Sequence, residues 1–193
     1  SPRYTFASLS TLANRSSWQT VWALLDENLG VGKIYDGNHL DPAAAKTPQG
    51  NPPRIPIWLT SLLFGALYLL MWNRPLYDND LRTIVRFTAI TLVLFFLWLR
   101  GWSPQWLAML VPFLLLALPL ERAVMYIVVL NFANLVEALL LQRGLDMGLH
   151  LTVPMRTLVF LSLLVELGLR SLITTKQAAS YAEVGKRRWF RPV

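Results

Sequence analysis

Five apolar stretches, at roughly residues 56–73, 83–101, 104–120, 123–141 and 155–174, dominate the pattern of this chain. A bilayer core about 30 Å thick takes about 20 mostly apolar helical residues to cross. The pattern therefore predicts an all-α, polytopic membrane protein with about five transmembrane helices over residues 56–174. The breaks between stretches are short. Residues 74–82 carry Pro75, Asp78 and Asp80; Glu121 and Arg122 form a charged turn; residues 142–154 carry Gly144, Gly148 and Pro154. The most specific break is Trp102-Ser103-Pro104-Gln105-Trp106, followed by an apolar run containing Pro112. Proline lacks an N–H and fits the first turn of a helix, Ser103 is expected to cap that turn, and Gln105 offers a donor and an acceptor at the membrane surface.

Residues 1–55 read as a loop outside the bilayer containing a short amphipathic helix. Ser16 and Gln19 have the spacing of a capping box. Trp18, Val21, Trp22 and Leu25 then fall at i, i+3, i+4 and i+7, and two tryptophans on one face suit a headgroup region. From 36 to 56 the chain is rich in Pro, Asn, Asp and Gly, an irregular loop. No signal-like apolar core opens the chain, and more than fifty residues precede the first span, so it reads as an interior piece of a longer membrane protein.

Composition agrees with the pattern: 54% of residues are hydrophobic and 15% charged, against about 25% charged in a soluble domain. The absence of cysteine excludes disulfides, thiolate metal sites and a cysteine nucleophile, and His39 and His150 have no ligand spacing around them. No metal and no cofactor is expected. The net charge of +7 is concentrated in residues 175–193, where Lys176, Lys186, Arg187, Arg188 and Arg191 face a single Glu183. Beside a membrane this reads as a cytoplasmic tail touching anionic lipid. Nucleic acid is not an expected partner, because the basic run is short and follows a span.

With the tail inside, alternation gathers Arg74, Arg82, Arg86 and Arg122 on the cytoplasmic side. Arg100, Arg143 and Arg156 fall in short outer loops. The arginine bias in short loops predicts a multi-pass cell-membrane protein with its N-terminal segment and the Ser-Pro-Gln turn extracytoplasmic.

Polar groups inside the apolar stretches need partners or a wet cavity. Asn131, Asn134 and Glu137 recur every three residues in the fourth stretch; Glu166 and Arg170 have the i,i+4 spacing of a helical ion pair in the fifth. Interhelical hydrogen bonding and a self-satisfied pair are the simpler readings, with Glu137 lining a cavity as the alternative. On the outer side Asp26, Glu27, Asp36, Asp41, Arg100, Gln105 and Arg143 are candidates for polar ligand contact. Asp26, following two tryptophans, suits a sugar with a lipid tail; a solvated helix end is the other reading. No Ser/His/Asp order, glycine-rich phosphate loop or zinc signature appears.

Two motifs carry a resemblance. Ser103-Pro104-Gln105-Trp106-Leu107 with Pro112 ahead of a leucine run resembles the SPQY–LLWLLP segment of polyprenol-phosphate-dependent glycosyltransferases of the C-type membrane fold, most closely the glycosyltransferase family 87 mannosyltransferase-like proteins. The run from Ser16 through Trp18, Trp22 and Leu25 to Asp26 resembles an external-loop motif of related bacterial proteins. The resemblance covers roughly residues 8–120. The chain departs from it at Glu27-Asn28-Leu29, where Gly-Tyr-Tyr is usual, and at Trp106 in place of Tyr. Nothing here corresponds to the first external loop, where enzymes of that fold keep their catalytic carboxylate.

The resemblance implies the C-terminal portion of an enzyme moving a hexose, mannose in that family, from a polyprenyl-phosphate-linked sugar to an acceptor hydroxyl. The catalytic residue is unknown, lying outside this chain, which alone is expected to be inactive. The resemblance marks Trp18, Trp22, Asp26, Ser103, Pro104 and Gln105 as special positions; by chemistry and position alone, Arg100 and Arg143 suit a phosphate and Asp26 or Gln105 the sugar hydroxyls. Membrane lipid and the missing N-terminal half, or other membrane subunits, are the expected partners. The competing expectation is a small non-catalytic transmembrane subunit of a membrane complex.

Overall fold

The computed structural model describes residues 16–29, 50–72 and 81–189, with residues 2, 5 and 6, and beyond residue 170 it describes backbone alone. The described regular structure is helical: α1 Val21–Leu25, α2 Ile57–Trp72, α3 Leu81–Trp98, α4 Leu107–Ala117, α5 Leu120–Gln142 and α6 Leu149–Trp189. The expected loop residues Asp36 and Asp41 lie outside the described residues, as do the side chains of the basic tail.

Three segments are long and apolar enough to cross a membrane: Leu81–Trp98, Leu120–Gln142 and Asp146–Arg170. The chain is a membrane protein with transmembrane helices. The other two of the five expected spans are shorter apolar helices, Ile57–Trp72 and Pro104–Ala117. At 1.5 Å per residue these reach about 24 and about 21 Å, short of the bilayer core. Local chemistry sets the second limit. Pro104–Trp106 winds as a tighter 3-10 turn, and Leu118 is extended (φ −116°, ψ 160°) directly before Pro119, where the helical conformation is disfavoured.

The last span starts earlier than its expected residue 155, because Pro154 lies inside α6 rather than in the preceding loop. So near a helix start, its missing N–H removes one bond and leaves the helix intact. The end of α5 is a Schellman motif. Gly144 is left-handed (φ 71°), its N–H donates to Leu141 O at 3.0 Å, and Leu145 N–H donates to Leu140 O at 2.9 Å.

Short connections force α3, α4, α5 and α6 to alternate in direction, and they close into a four-helix ring, with α3 packed on both α4 and α6. Ala89, Val93, Leu110, Leu114, Leu130, Leu163 and Leu167 fill its centre. α2 leans on α3 from outside through Tyr68, Trp72 and Phe87 and a 3.3 Å bond from Trp98 Nε1 to Ser61 Oγ. Its outer face, including Trp58 and Leu62, is exposed, as are Val128, Leu151 and Leu158 around the ring. Such an apolar perimeter is what lipid contact requires.

Candidate functional site: a polar staple at one end of the bundle

α3 ends at Trp98, so the carbonyls of its last turn and of the residues after it lack helical donors. Residues 16–22 supply them. Trp18 N–H donates to Arg100 O at 2.9 Å, and Trp102 N–H returns to Trp18 O at 3.1 Å, an isolated parallel bridge between Trp18 and Gly101. Trp18 Nε1 donates to Trp102 O at 2.9 Å, Thr20 Oγ1 to Arg100 O at 3.1 Å and Trp22 Nε1 to Leu97 O at 2.9 Å. Both tryptophans are thus bound into protein, and Trp22 also meets Phe64 edge-on. Gly101 makes this approach possible: a Cβ there would lie 2.1 Å from the Trp18 ring.

The pairing overrides the expected capping box. Ser16 and Ser17 are buried, and Thr20, extended at φ −131°, is the cap of α1, accepting from Ala23 N at 3.4 Å. Gln19 takes a left-handed backbone (φ 52°), and its carbonyl accepts from Arg156 Nη2. α1 ends in a second Schellman-type turn. Glu27 is left-handed at φ 60°, and Asn28 N–H donates to Ala23 O at 2.8 Å.

Asp26 sits at the centre of the first polar cluster, 3% exposed. It accepts from Ser17 Oγ at 2.6 Å, Arg54 N at 2.9 Å and Arg100 Nη1 at 3.1 Å. Arg100 also donates to Ile55 O through Nη2, and its guanidinium lies 5.6 Å from the centre of the Trp22 ring. Asn28 holds residue 51 in place: its Oδ1 accepts from Asn51 N at 2.7 Å, while its Nδ2 donates to Asn51 O and Ser17 Oγ, each at 3.1 Å.

A second cluster lies beneath. Arg156 and Glu137 pair at 2.7 Å with both side chains 3% exposed. Asn134 Oδ1 accepts from Trp102 Nε1 at 3.0 Å and from Arg156 Nη1 at 3.4 Å. The Arg156 guanidinium stacks 4.7 Å from the centre of the Trp102 ring, which packs against Phe96 and Phe160. Arg156 therefore joins α5, α6, the Trp102 turn and the N-terminal segment.

Trp18, Trp22, Asp26 and Arg100 come together in one assembly. Ser103 is half-buried beside it and makes no side-chain cap bond to the turn it precedes. Gln105 is exposed on that turn, and Arg143 is exposed at the end of α5. Glu27 is exposed and pairs with Arg54 at 2.5 Å. Asn131 faces outward and bonds within its own helix to Ile127 O at 2.8 Å. Glu166 lies at the opposite end, where Arg170 at 2.9 Å, Tyr126 at 2.8 Å and Arg122 at 3.4 Å surround it.

Arg156 is the residue that sequence reasoning misplaced, as an outer-loop arginine. The signal that could have found it is Glu137 with Asn134 on one face of the preceding span, a buried carboxylate needing a cation. Among the described residues no group of three His, Cys, Asp or Glu could hold a metal ion. Chemically, the staple immobilises: both oxygens of Asp26 and the Oε2 of Glu137 accept from donors of their own chain, while Gln105 and Arg143, like the Glu27/Arg54 pair, are exposed. The chain matches no protein-family model, no curated protein and no solved structure.

Proposed function

We propose that this chain is the C-terminal portion of an integral-membrane glycosyltransferase that moves a hexose from a polyprenyl phosphate to an acceptor hydroxyl. One observation carries the reading. The two motifs that bear the family resemblance, 84 residues apart at Trp18 and Trp102, form one hydrogen-bonded unit. A groove of about 270 Å³ between α2 and α3, lined by Phe64, Tyr68, Leu94, Phe95 and Trp98, is compatible with a prenyl chain.

In this reading Asp26, Arg100, Arg156 and Glu137 form the frame. Gln105 and Ser103 meet sugar hydroxyls, and Arg143 meets the phosphate. The acceptor oxygen bonds to the anomeric carbon as the sugar–phosphate bond breaks; polyprenyl phosphate leaves, and the hydroxyl proton passes to a carboxylate outside these residues. The frame's own charges are paired within the protein, so its part is to hold the turn that carries Ser103 and Gln105 in place before reaction.

Membranes carrying the full reading frame around this chain, supplied with a labelled polyprenyl-phosphate hexose, test the proposal. Label should move to acceptor, and Gln105→Ala should slow transfer about 10–100-fold, at about 1.4 kcal/mol per factor of ten. No transfer from any such donor would contradict it. A non-catalytic membrane subunit is the second reading, favoured by the pairing of both buried carboxylates at this end with arginines. It predicts that the chain co-purifies with a separately encoded membrane protein.

A further inference from the structure

Asn131 is a polar group that the staple leaves unused. It stands at the midpoint of the 23-residue α5, about 16 Å of helix from either end, and α5 is long and apolar enough to span the membrane. Asn131 therefore lies near the centre of the bilayer. Its side chain is exposed on the outward face, where Nδ2 donates to Ile127 O at 2.8 Å. A side-chain amide has two donors and two acceptor sites, and among the described residues the second N–H and the Oδ1 meet no partner. No water serves them at that depth. A polar group facing hydrocarbon is costly and is normally turned toward protein.

The neighbours of Asn131 on this face point to what covers it. Val124, Val128, Asn131, Leu135, Ala138 and Gln142 succeed one another by four and three residues in turn, the spacing that keeps one stripe of a helix facing a second helix. Val124, Val128 and Leu135 are 45%, 59% and 58% exposed, so the stripe is free of the contacts that α5 makes within the ring. It carries no charge, and both of its polar members are amides, each able to donate to and accept from a copy of itself. A second copy inserted in the same direction brings its own Asn131 to the same depth by symmetry. Any other helix would need an amide of its own at that level. We propose that two copies of this chain pack α5 against α5 about a two-fold axis along the membrane normal, with the two Asn131 amides hydrogen-bonded to each other. Amide bonds of this kind hold membrane helices together where lipid removes the hydrophobic drive. The interface is remote from the buried polar clusters and independent of glycosyl transfer.

The sequence has no cysteine, so a single introduced thiol reports on one position of the full chain. In native membranes, oxidation should join Val128→Cys copies, and Leu135→Cys copies, into adducts of twice the mass of the chain. Leu158→Cys, exposed on α6, should stay monomeric. Resonance energy transfer between labelled copies in vesicles, followed as lipid dilutes them, measures the association itself. Asn131→Leu should weaken it about 5–30-fold, the strength of one amide bond between membrane helices, and Asn131→Gln should retain most of it. Helical circular dichroism of Asn131→Leu should match the wild type, which separates lost association from lost folding. A wild type that stays monomeric, an Asn131→Leu variant that associates as the wild type does, equal cross-linking through Leu158→Cys, or a Val128→Cys adduct to a different protein alone would overturn the proposal.

Discussion

Removing Arg156 should be among the most damaging single changes in this protein. Its guanidinium is 2.7 Å from Glu137 with both side chains 3% exposed, so water screens the pair poorly. Two unit charges about 4 Å apart interact by about 4 kcal/mol at an effective dielectric of 20. Deleting one member of a buried pair costs about 3–5 kcal/mol, because the remaining charge stays desolvated. Arg156→Met additionally withdraws donors from Asn134 and from the Gln19 carbonyl, and the cation above Trp102. We expect Arg156→Met and Glu137→Leu each to destabilise by about 3–5 kcal/mol, and the double variant by about 2–4 kcal/mol less than their sum, since it leaves no unpaired charge. The exposed Arg54/Glu27 pair, with side chains 60% and 67% exposed, is the internal contrast, and Glu27→Gln should cost under about 1 kcal/mol. Denaturant unfolding in micelles, followed by tryptophan fluorescence and helical circular dichroism, measures all four variants. Single variants within 1 kcal/mol of wild type, or strictly additive losses, would refute the reasoning.

Other outcomes follow from the same contacts. Gly101→Ala places a methyl against the Trp18 indole and should destabilise by about 1–3 kcal/mol, with a shifted tryptophan emission; Gly144→Ala meets nothing within 4 Å and should cost only about 1 kcal/mol for its left-handed backbone. Asp26→Asn keeps the size of the side chain but removes the charge facing Arg100, and a loss of about 1.5–3 kcal/mol in the same unfolding assay is expected for a charged hydrogen bond. Trp102→Phe retains the aromatic packing but deletes the bond to Asn134, for a loss of about 1 kcal/mol.

The helical membrane body was legible in the sequence because hydropathy over long windows reports burial in lipid directly. Helix ends were less legible. Pro154 reads as a loop marker, yet in the first turns of α6 it disturbs little, and this moved Arg156 from an assumed loop into a buried pair. The Ser16/Gln19 capping pattern was a sound local signal that a non-local contact overrode: the free carbonyls after α3 recruit Trp18 and Thr20 instead. No pattern within residues 16–29 announces that competitor, which lies more than 70 residues away. The expected placement of Trp18 and the Ser-Pro-Gln turn on one side of the membrane fits their joining, although no local pattern specifies the contact. The fate of Asp26 was not legible, because its partners Ser17, Arg54 and Arg100 are brought together only by the fold.

The central structural claim is that residues 16–28 are bonded onto the bundle end rather than lying free as a loop. Amide hydrogen exchange of the full chain in lipid nanodiscs tests it most directly, since local opening sets the exchange rate. Peptides covering 16–28 should be protected together with 97–106, and Arg156→Met should release both. Exchange of 16–28 at the rate of an unstructured peptide, beside protected transmembrane helices, would contradict the account.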